Sequence, residues 1–198
     1  MTDFIQELKH DHRVIEQVVA GMSAIADLLD SGKQVEPSIL ADLVQFLAVF
    51  ADRCHHAKEE QFLFPLLAAK ARAASGKRDL DLLEQEHRSA TKMVQELAKV
   101  SAAYIQNPLV MRHRVVALLR RLVDLYPAHI WKEDYLLFPM AQQILSQGEQ
   151  EELAEKFEDV EREVGEDVHA AFEMLAGKLG AVVEYRDSGV CPLCSSAA

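Results

Sequence analysis

The chain has 198 residues, a formal net charge of −11 at pH 7, 49% hydrophobic residues, and only 8 Gly and 6 Pro. This length fits one domain with its own core, and the low Gly and Pro content favours long helices over strands. The acidic charge argues against a nucleic-acid partner, which would require a concentrated basic surface. No apolar run approaches the ~20 residues of a membrane span. The N-terminal sequence MTDFIQELKHDH has no cationic, apolar leader, so we expect a cytoplasmic protein without a membrane partner.

Apolar residues recur at intervals of three and four along five stretches, which predicts five helices. Short turn clusters such as Asp30-Ser31-Gly32 and Asn107-Pro108 separate them. Such short connections place successive helices antiparallel, so we predict an all-α fold, an up-down-up-down four-helix bundle with an additional C-terminal helix. The predicted helices cover residues 2–30, 37–73, 78–106, 108–146 and 149–185. The domains are then the bundle at 1–146, an acidic amphipathic fifth helix at 147–186, and a loose tail at 187–198.

One twelve-residue phrase occurs twice in the chain. CHHAKEEQFLFP at residues 54–65 and AHIWKEDYLLFP at 128–139 align with His, Lys, two acids, Leu, Phe and Pro in register. Each copy contains His-x-x-x-Glu, and residues four apart share one face of a helix, so each pair could hold one cation or bridge two. Each predicted helix pair contributes one simple candidate His, at His12 or His87, followed by one His-x-x-x-Glu helix. Residues 1–73 and 78–146 therefore form an internal repeat, which predicts a pseudo-two-fold axis through the core.

Four of the 8 histidines share the apolar faces of their helices and should point into the core. Burying four imidazoles and two carboxylates without partners would cost several kcal/mol per group, whereas divalent cations satisfy all of them. A buried ion-pair network is the alternative. Six inward groups exceed the four ligands of a structural zinc and suit paired iron better. The candidate ligands are His12, His55, Glu59, His87, His129 and Glu133.

The remaining polar residues near the repeat have other expected roles. We expect His56 to be solvated, or to orient a ligand, rather than to bind metal itself. Glu60 and Asp134 lie one step further round the helix than the candidate glutamates and should orient ligands, although Asp134 could also reach inward. Pro127 should kink the fourth helix near the metals. We interpret His10, His113 and His169 as surface residues and Cys54 as a buried apolar thiol.

On these residues the chain resembles the hemerythrin-like family. KHDHRVIE, HHAKEEQFLFP, EQEHRSA and HIWKEDYLLFP occur in that family's order and spacing, over about residues 1–146. The resemblance implies a four-helix bundle that holds two non-haem irons bridged by an oxide or hydroxide. His12 and His55 would serve one iron and His87 and His129 the other. Glu59 and Glu133 would bridge the two irons.

The resemblance also bears on function. Oxygen carriers of the family have a second His one turn after the first on the third helix, where this chain has Thr91. Each iron would then keep about one open position, a pattern nearer to the branch linked to nitric-oxide response and iron–sulfur repair. We therefore expect a protein that binds or senses oxygen, nitric oxide or related small species. The alternatives are a repair protein for iron–sulfur centres, which delivers iron or reduces nitric oxide, and a di-iron oxidase or peroxidase.

The C-terminal tail carries the sequence CPLC, with Cys191 and Cys194. This spacing matches one knuckle of the four-thiolate site of rubredoxins. A second chain could complete such a site and form a homodimer that holds iron or zinc. The other interpretations are a redox dithiol and an uncomplexed terminus.

Deletion of residues 187–198 is expected to leave the metal content of the protein unchanged, because all candidate ligands lie between His12 and Glu133. Elemental analysis and the iron absorption spectrum of the truncated chain, compared with the full chain, check this. Loss of the iron absorption on truncation would show that the tail contributes to the centre.

Overall fold

The computed structural model describes residues 3–70 and 74–180. Every regular element within these ranges is a helix, so the predicted all-α bundle is confirmed. None of the helices in these ranges is long and apolar enough to cross a membrane. The CPLC tail lies outside the described residues, so its predicted roles stay predictions.

The described residues form six helices. α1 spans Phe4–Asp30, α3 spans Ala74–Gln106, α5 spans Gln147–Val164 and α6 spans Glu166–Gly180. α2 covers residues 37–70 and consists of Pro37–Gln45, the π-helical segments Phe46–His56 and Glu59–Leu63, and Phe64–Lys70. α4 covers residues 108–144 and consists of Pro108–Lys132, the π-helical segment Glu133–Leu137, and Phe138–Ile144. Pro127 lies inside the α-helical part of α4, and the kink expected there stays a prediction.

Local sequence explains where these helices begin and end. The Asp3 side chain accepts a hydrogen bond from the backbone N–H of Ile5 and caps α1. Gly32 has a φ of +88°, which suits glycine, and it lies in the turn after α1 as predicted. Ser146 and Glu149 form a reciprocal capping box at the start of α5. The C-terminal part of the chain is therefore a separate element rather than a continuation of α4.

The segment that the sequence predicts as one fifth helix forms two helices, which are separated at Gly165. Gly165 has a φ of +113°, which no helical residue adopts, and it ends α5 one residue before α6 begins. Glycine reaches this conformation without a steric penalty, so the break occurs despite the continuous apolar pattern around it. α6 thereby packs along α1, while α5 packs against α1 and α2.

The two copies of the repeated phrase share an unusual backbone. The N–H of Phe64 bonds the carbonyl of Glu59, and the N–H of Phe138 bonds the carbonyl of Glu133, each five residues back. Pro65 and Pro139 follow directly. A proline ring clashes with the carbonyl four residues before it, and a wider π turn relieves that clash. The LFP sequence thus shapes the helix next to both candidate glutamates.

A polar layer divides the core into two apolar clusters. On α1, Phe4 and Leu8 belong to one cluster and residues 14–29 to the other. The same division recurs on the other three long helices, and the candidate ligands lie between the two clusters on each. The bundle therefore encloses its His and Glu side chains in an apolar shell.

Candidate metal centre

The structure brings all six candidate ligands together in the polar layer. The Nε2 atoms of His12 and His55 lie 3.0 Å apart, and those of His87 and His129 lie 2.9 Å apart. Two four-residue groups there could each hold a metal ion, and both include Glu59 and Glu133. One group adds His12 and His55, and the other adds His87 and His129. This arrangement matches the ligand sets that the resemblance implies.

The two shared carboxylates are the strongest sign that a cation belongs here. Both glutamates are 0% exposed, and none of their four oxygens makes a hydrogen bond within the described part of the chain. Oxygens of Glu133 nevertheless lie 3.2 Å from His12 Nε2 and 3.1 Å from His129 Nε2. Buried carboxylates without partners are costly, and a metal ion would satisfy all four oxygens. The donor set of imidazoles and shared carboxylates therefore fits a pair of metals such as iron.

Each candidate imidazole has a carboxylate behind it. A carboxylate only accepts hydrogen bonds, so the Nδ1 of each ring carries the proton and donates it, which leaves the Nε2 lone pair for the centre. The four pairs are His12 with Asp134 at 2.8 Å, His55 with Asp11 at 3.3 Å, His87 with Glu60 at 2.7 Å and His129 with Glu86 at 3.0 Å. The expectation that Glu60 and Asp134 orient ligands agrees with this geometry.

These supporting carboxylates occupy equivalent positions in the two halves of the internal repeat. Asp134 of the second copy contacts His12 of the first half, and Glu60 of the first copy contacts His87 of the second half. Sequence reasoning did not single out Asp11 or Glu86. Each directly precedes a candidate His, in the pairs Asp11-His12 and Glu86-His87. An acid before the His at both equivalent positions of the repeat is the sequence signal that could have identified them. Each also contacts the Lys of one copy, Lys58 or Lys132.

Burial and close charges shift the pKa values of the groups in this layer in different directions. Burial and the neighbouring Glu133 carboxylate raise the pKa of Glu59 well above its usual value. Burial lowers the pKa of His55 to about 4. Burial would also lower the pKa of His129, but Glu133 and Glu86 outweigh it and raise that pKa to about 9. A bound metal would hold these groups deprotonated, so protons and a metal would compete for this layer.

Two histidines differ from their predicted environments. His56 is buried, 3% exposed, and stacks on His87 with ring centroids 3.8 Å apart, so it is not solvated. Burial and the neighbouring imidazoles, chiefly His87, lower the pKa of His56 well below its usual value. His169, expected at the surface, lies partly buried on α6 with its Nε2 3.3 Å from Asp11. The other two surface predictions agree with the structure, since His10 and His113 are both exposed.

Lys58 shows how the C-terminal helices cover one half of the centre. It is fully buried, and its Nζ lies 2.8 Å from Glu7, 3.1 Å from Asp11 and 2.7 Å from Glu161 of α5. Its repeat mate Lys132 is 30% exposed and contacts Glu86. Asp11, Glu161 and His169 also form a group that could hold a cation, but the Lys58 ammonium already donates hydrogen bonds to both carboxylates. Cys54 is buried nearby as predicted, and burial raises the pKa of its thiol to about 12.

Comparison with known proteins agrees with this geometry. The chain matches the family model described as the hemerythrin HHE cation binding domain, over residues 3–141 and again over 78–185. Uncharacterized proteins of Mycobacterium tuberculosis strain H37Rv and of Mycobacterium bovis are each 25% identical to it over 175 residues. That match covers 88% of this chain and 66% of each relative, just under two thirds of their length. No solved structure gives a significant match. The first family match covers well over half of the chain, which therefore belongs to the hemerythrin HHE cation-binding domain family.

Proposed function

We propose that this chain is a non-haem di-iron protein that binds or senses oxygen, nitric oxide or a related small species. The supporting observation is the convergence of four imidazole Nε2 atoms on two shared carboxylates whose oxygens have no hydrogen bond. Imidazole together with carboxylate is a donor set that iron accepts well. A bound ferrous pair would supply electrons and open coordination positions to a small ligand.

The enclosure of the site favours a small ligand. The six candidate ligands are at most 2% exposed, and apolar clusters lie on both sides of them. A large organic molecule cannot contact these atoms, whereas a diatomic gas can diffuse through a packed interior as side chains fluctuate. A cleft of about 450 Å³, lined in part by Asp52 and Glu60, opens next to the His87 side of the layer. Glu60 lines this cleft and also holds His87 at 2.7 Å, so one side chain separates the cleft from a candidate ligand.

Protein reconstituted anaerobically with ferrous iron is expected to hold about two irons per chain, because six inward ligands exceed what one metal can use. His55→Ala and His129→Ala should each lose iron, since each removes one imidazole from one of the two groups. The exposed His113 provides the control, and His113→Ala should keep both irons. Elemental analysis measures the content, and a spectrum after oxygen and then nitric oxide tests reactivity.

The outcomes separate the proposed function from its alternatives. One metal per chain, or zinc alone, would contradict the di-iron proposal. Rapid turnover of an added co-substrate would indicate an oxidase or peroxidase, and transfer of iron to a damaged cluster protein would indicate repair. A change of spectrum on gas binding, without turnover or iron transfer, is the result that binding or sensing requires.

A further inference from the structure

The two halves of the candidate centre have different surroundings. The covered half contains His12 and His55, and the solvent-side half contains His87 and His129. The internal repeat makes the two halves equivalent in sequence, and all four imidazoles are at most 2% exposed. Any difference between the two metal positions therefore has to come from the side chains that lie behind these imidazoles.

Water reaches the supporting carboxylates of the solvent-side half but hardly those of the covered half. In the covered half, the side chains of Asp11 and Asp134 are 1% and 10% exposed. In the solvent-side half, the side chains of Glu60 and Glu86 are 44% and 21% exposed. Water competes for an exposed carboxylate, so the hydrogen bond from such a group to an imidazole holds the ring less firmly.

α5 and α6 account for the burial of Asp11. Lys58 donates hydrogen bonds to Asp11 and to Glu161 of α5, and His169 of α6 lies 3.3 Å from Asp11. A cleft of about 370 Å³ beside these helices is lined by Glu161 and His169, so His169 separates that cleft from Asp11. The repeat mate of Lys58, Lys132, is 30% exposed. The C-terminal helices therefore make two halves of similar sequence differ in their access to solvent.

A supporting carboxylate influences how tightly its imidazole holds a metal. It fixes the orientation of the ring and raises the basicity of the nitrogen that binds the metal, and its loss typically costs about 10- to 100-fold in metal affinity. A ring whose support exchanges with water can turn away from the metal, whereas a ring clamped by a buried carboxylate cannot. The solvent-side half should therefore hold its metal more weakly than the covered half.

We propose that the solvent-side half holds an exchangeable ferrous ion, which the protein binds last and releases first, while the covered half holds a resident ion. The inference rests on the proposed di-iron function and deepens it, because it assigns metal exchange to one half of the same site. The residues that decide which ion exchanges are the supporting carboxylates, chiefly Glu60 and Glu86 on one side and the buried Asp11 on the other.

The test is the release of iron from wild-type protein that has been reconstituted anaerobically with ferrous iron. Ferrozine, a coloured ferrous chelator, is added in excess, and its absorbance follows the iron that leaves the protein. Two phases of equal amplitude are expected, each with one iron per chain, and their rates should differ by at least about 10-fold. Protein desalted after the fast phase should retain one iron per chain by elemental analysis.

A matched pair of variants assigns the two phases to the two halves. Glu60 and Asp134 occupy the same position of the repeated phrase, but Glu60 supports His87 and Asp134 supports His12. Glu60→Gln should accelerate only the fast phase and Asp134→Asn only the slow phase, because an amide oxygen accepts a weaker hydrogen bond than a carboxylate does. Both substitutions keep the size of the side chain, so the packing around it is preserved.

Release of both irons in a single phase would overturn the inference and leave the proposed function intact. Acceleration of the slow phase by Glu60→Gln, or of the fast phase by Asp134→Asn, would overturn it as well. Fewer than two irons per chain in the reconstituted wild type would overturn the proposed function, and the inference with it. If Asp134→Asn does not fold, the phases of the wild type and of Glu60→Gln decide.

Discussion

Lys58→Met is expected to lower the free energy of unfolding of the metal-free protein by about 3–5 kcal/mol. The Lys58 ammonium is 0% exposed and lies within 3.1 Å of carboxylate oxygens of Glu7, Asp11 and Glu161. Methionine fills a similar volume but leaves these carboxylates facing one another without a cation. Breaking a buried ion pair from one side is costly for this reason, although replacing all partners by apolar groups is often neutral. Urea unfolding followed by circular dichroism, with a chelator present, measures the effect.

The internal repeat provides the matched control for this experiment. Lys132 occupies the same place in the second copy but is 30% exposed and contacts the partly exposed Glu86. Solvent screens such a pair, so Lys132→Met should cost only about 0–1 kcal/mol. Equal losses in the two variants would mean that the C-terminal helices do not seal Lys58 from water.

The pH dependence of the Lys58→Met variant has a definite sign. Burial, the largest influence, lowers the pKa of Lys58, but Asp11, Glu7 and Glu161 more than offset it and raise that pKa. Burial already raises the pKa of Glu7 in the wild type, and losing the cation raises it further. When the pKa of a carboxyl group is higher in the folded state than in the unfolded state, the folded protein becomes more stable as the pH falls through that folded-state pKa. The difference in free energy of unfolding between wild type and variant should therefore become smaller as the pH falls from neutrality to about 5.

The sequence could predict the candidate ligands because their pattern is local. His55 and Glu59 lie four residues apart, as do His129 and Glu133, and the apolar stripes on both sides fix which face is buried. The internal repeat then relates the two halves, so that the pairing of His12 with His55 implies that of His87 with His129. None of this requires knowledge of how distant helices pack.

The residues that the sequence analysis misjudged depend on backbone detail or on distant packing. The 100° per residue of an α-helix underlies the expectation that His56 is solvated, but Phe46–His56 is π-helical and turns less at each residue, which brings His56 inward. His169 reaches Asp11 only because the chain breaks at Gly165 and α6 folds back along α1. Neither the wide turn nor the long-range contact leaves a signal in apolar periodicity.

The packing of α6 on α1 is close enough that one methyl group should disturb it. A Cβ added at Gly21 would lie 2.4 Å from the backbone oxygen of Leu179 and 2.8 Å from its carbonyl carbon. Backbone atoms cannot rotate away as a flexible side chain can, so Gly21→Ala must push the two helices apart. Phe172, Ala176 and Leu179 would then lose part of their burial against the core.

Gly21→Ala is accordingly expected to lower the free energy of unfolding by about 1–3 kcal/mol through overpacking. This loss outweighs the ~0.5–1 kcal/mol that alanine gains over glycine inside a helix. Gly177 of α6 is the control, because a Cβ there meets nothing within 4 Å, so Gly177→Ala should be neutral or slightly stabilising. Urea unfolding gives the two free energies, and hydrogen exchange shows whether the amides of α6 lose protection.

Gly21 lies nine residues, or about 14 Å along the helix, from His12, so both variants should keep the metal content of the wild type. A Gly21→Ala protein as stable as Gly177→Ala, with α6 still protected, would show that α6 does not press on α1 at Gly21, and the burial of His169 and Lys58 would need another cause.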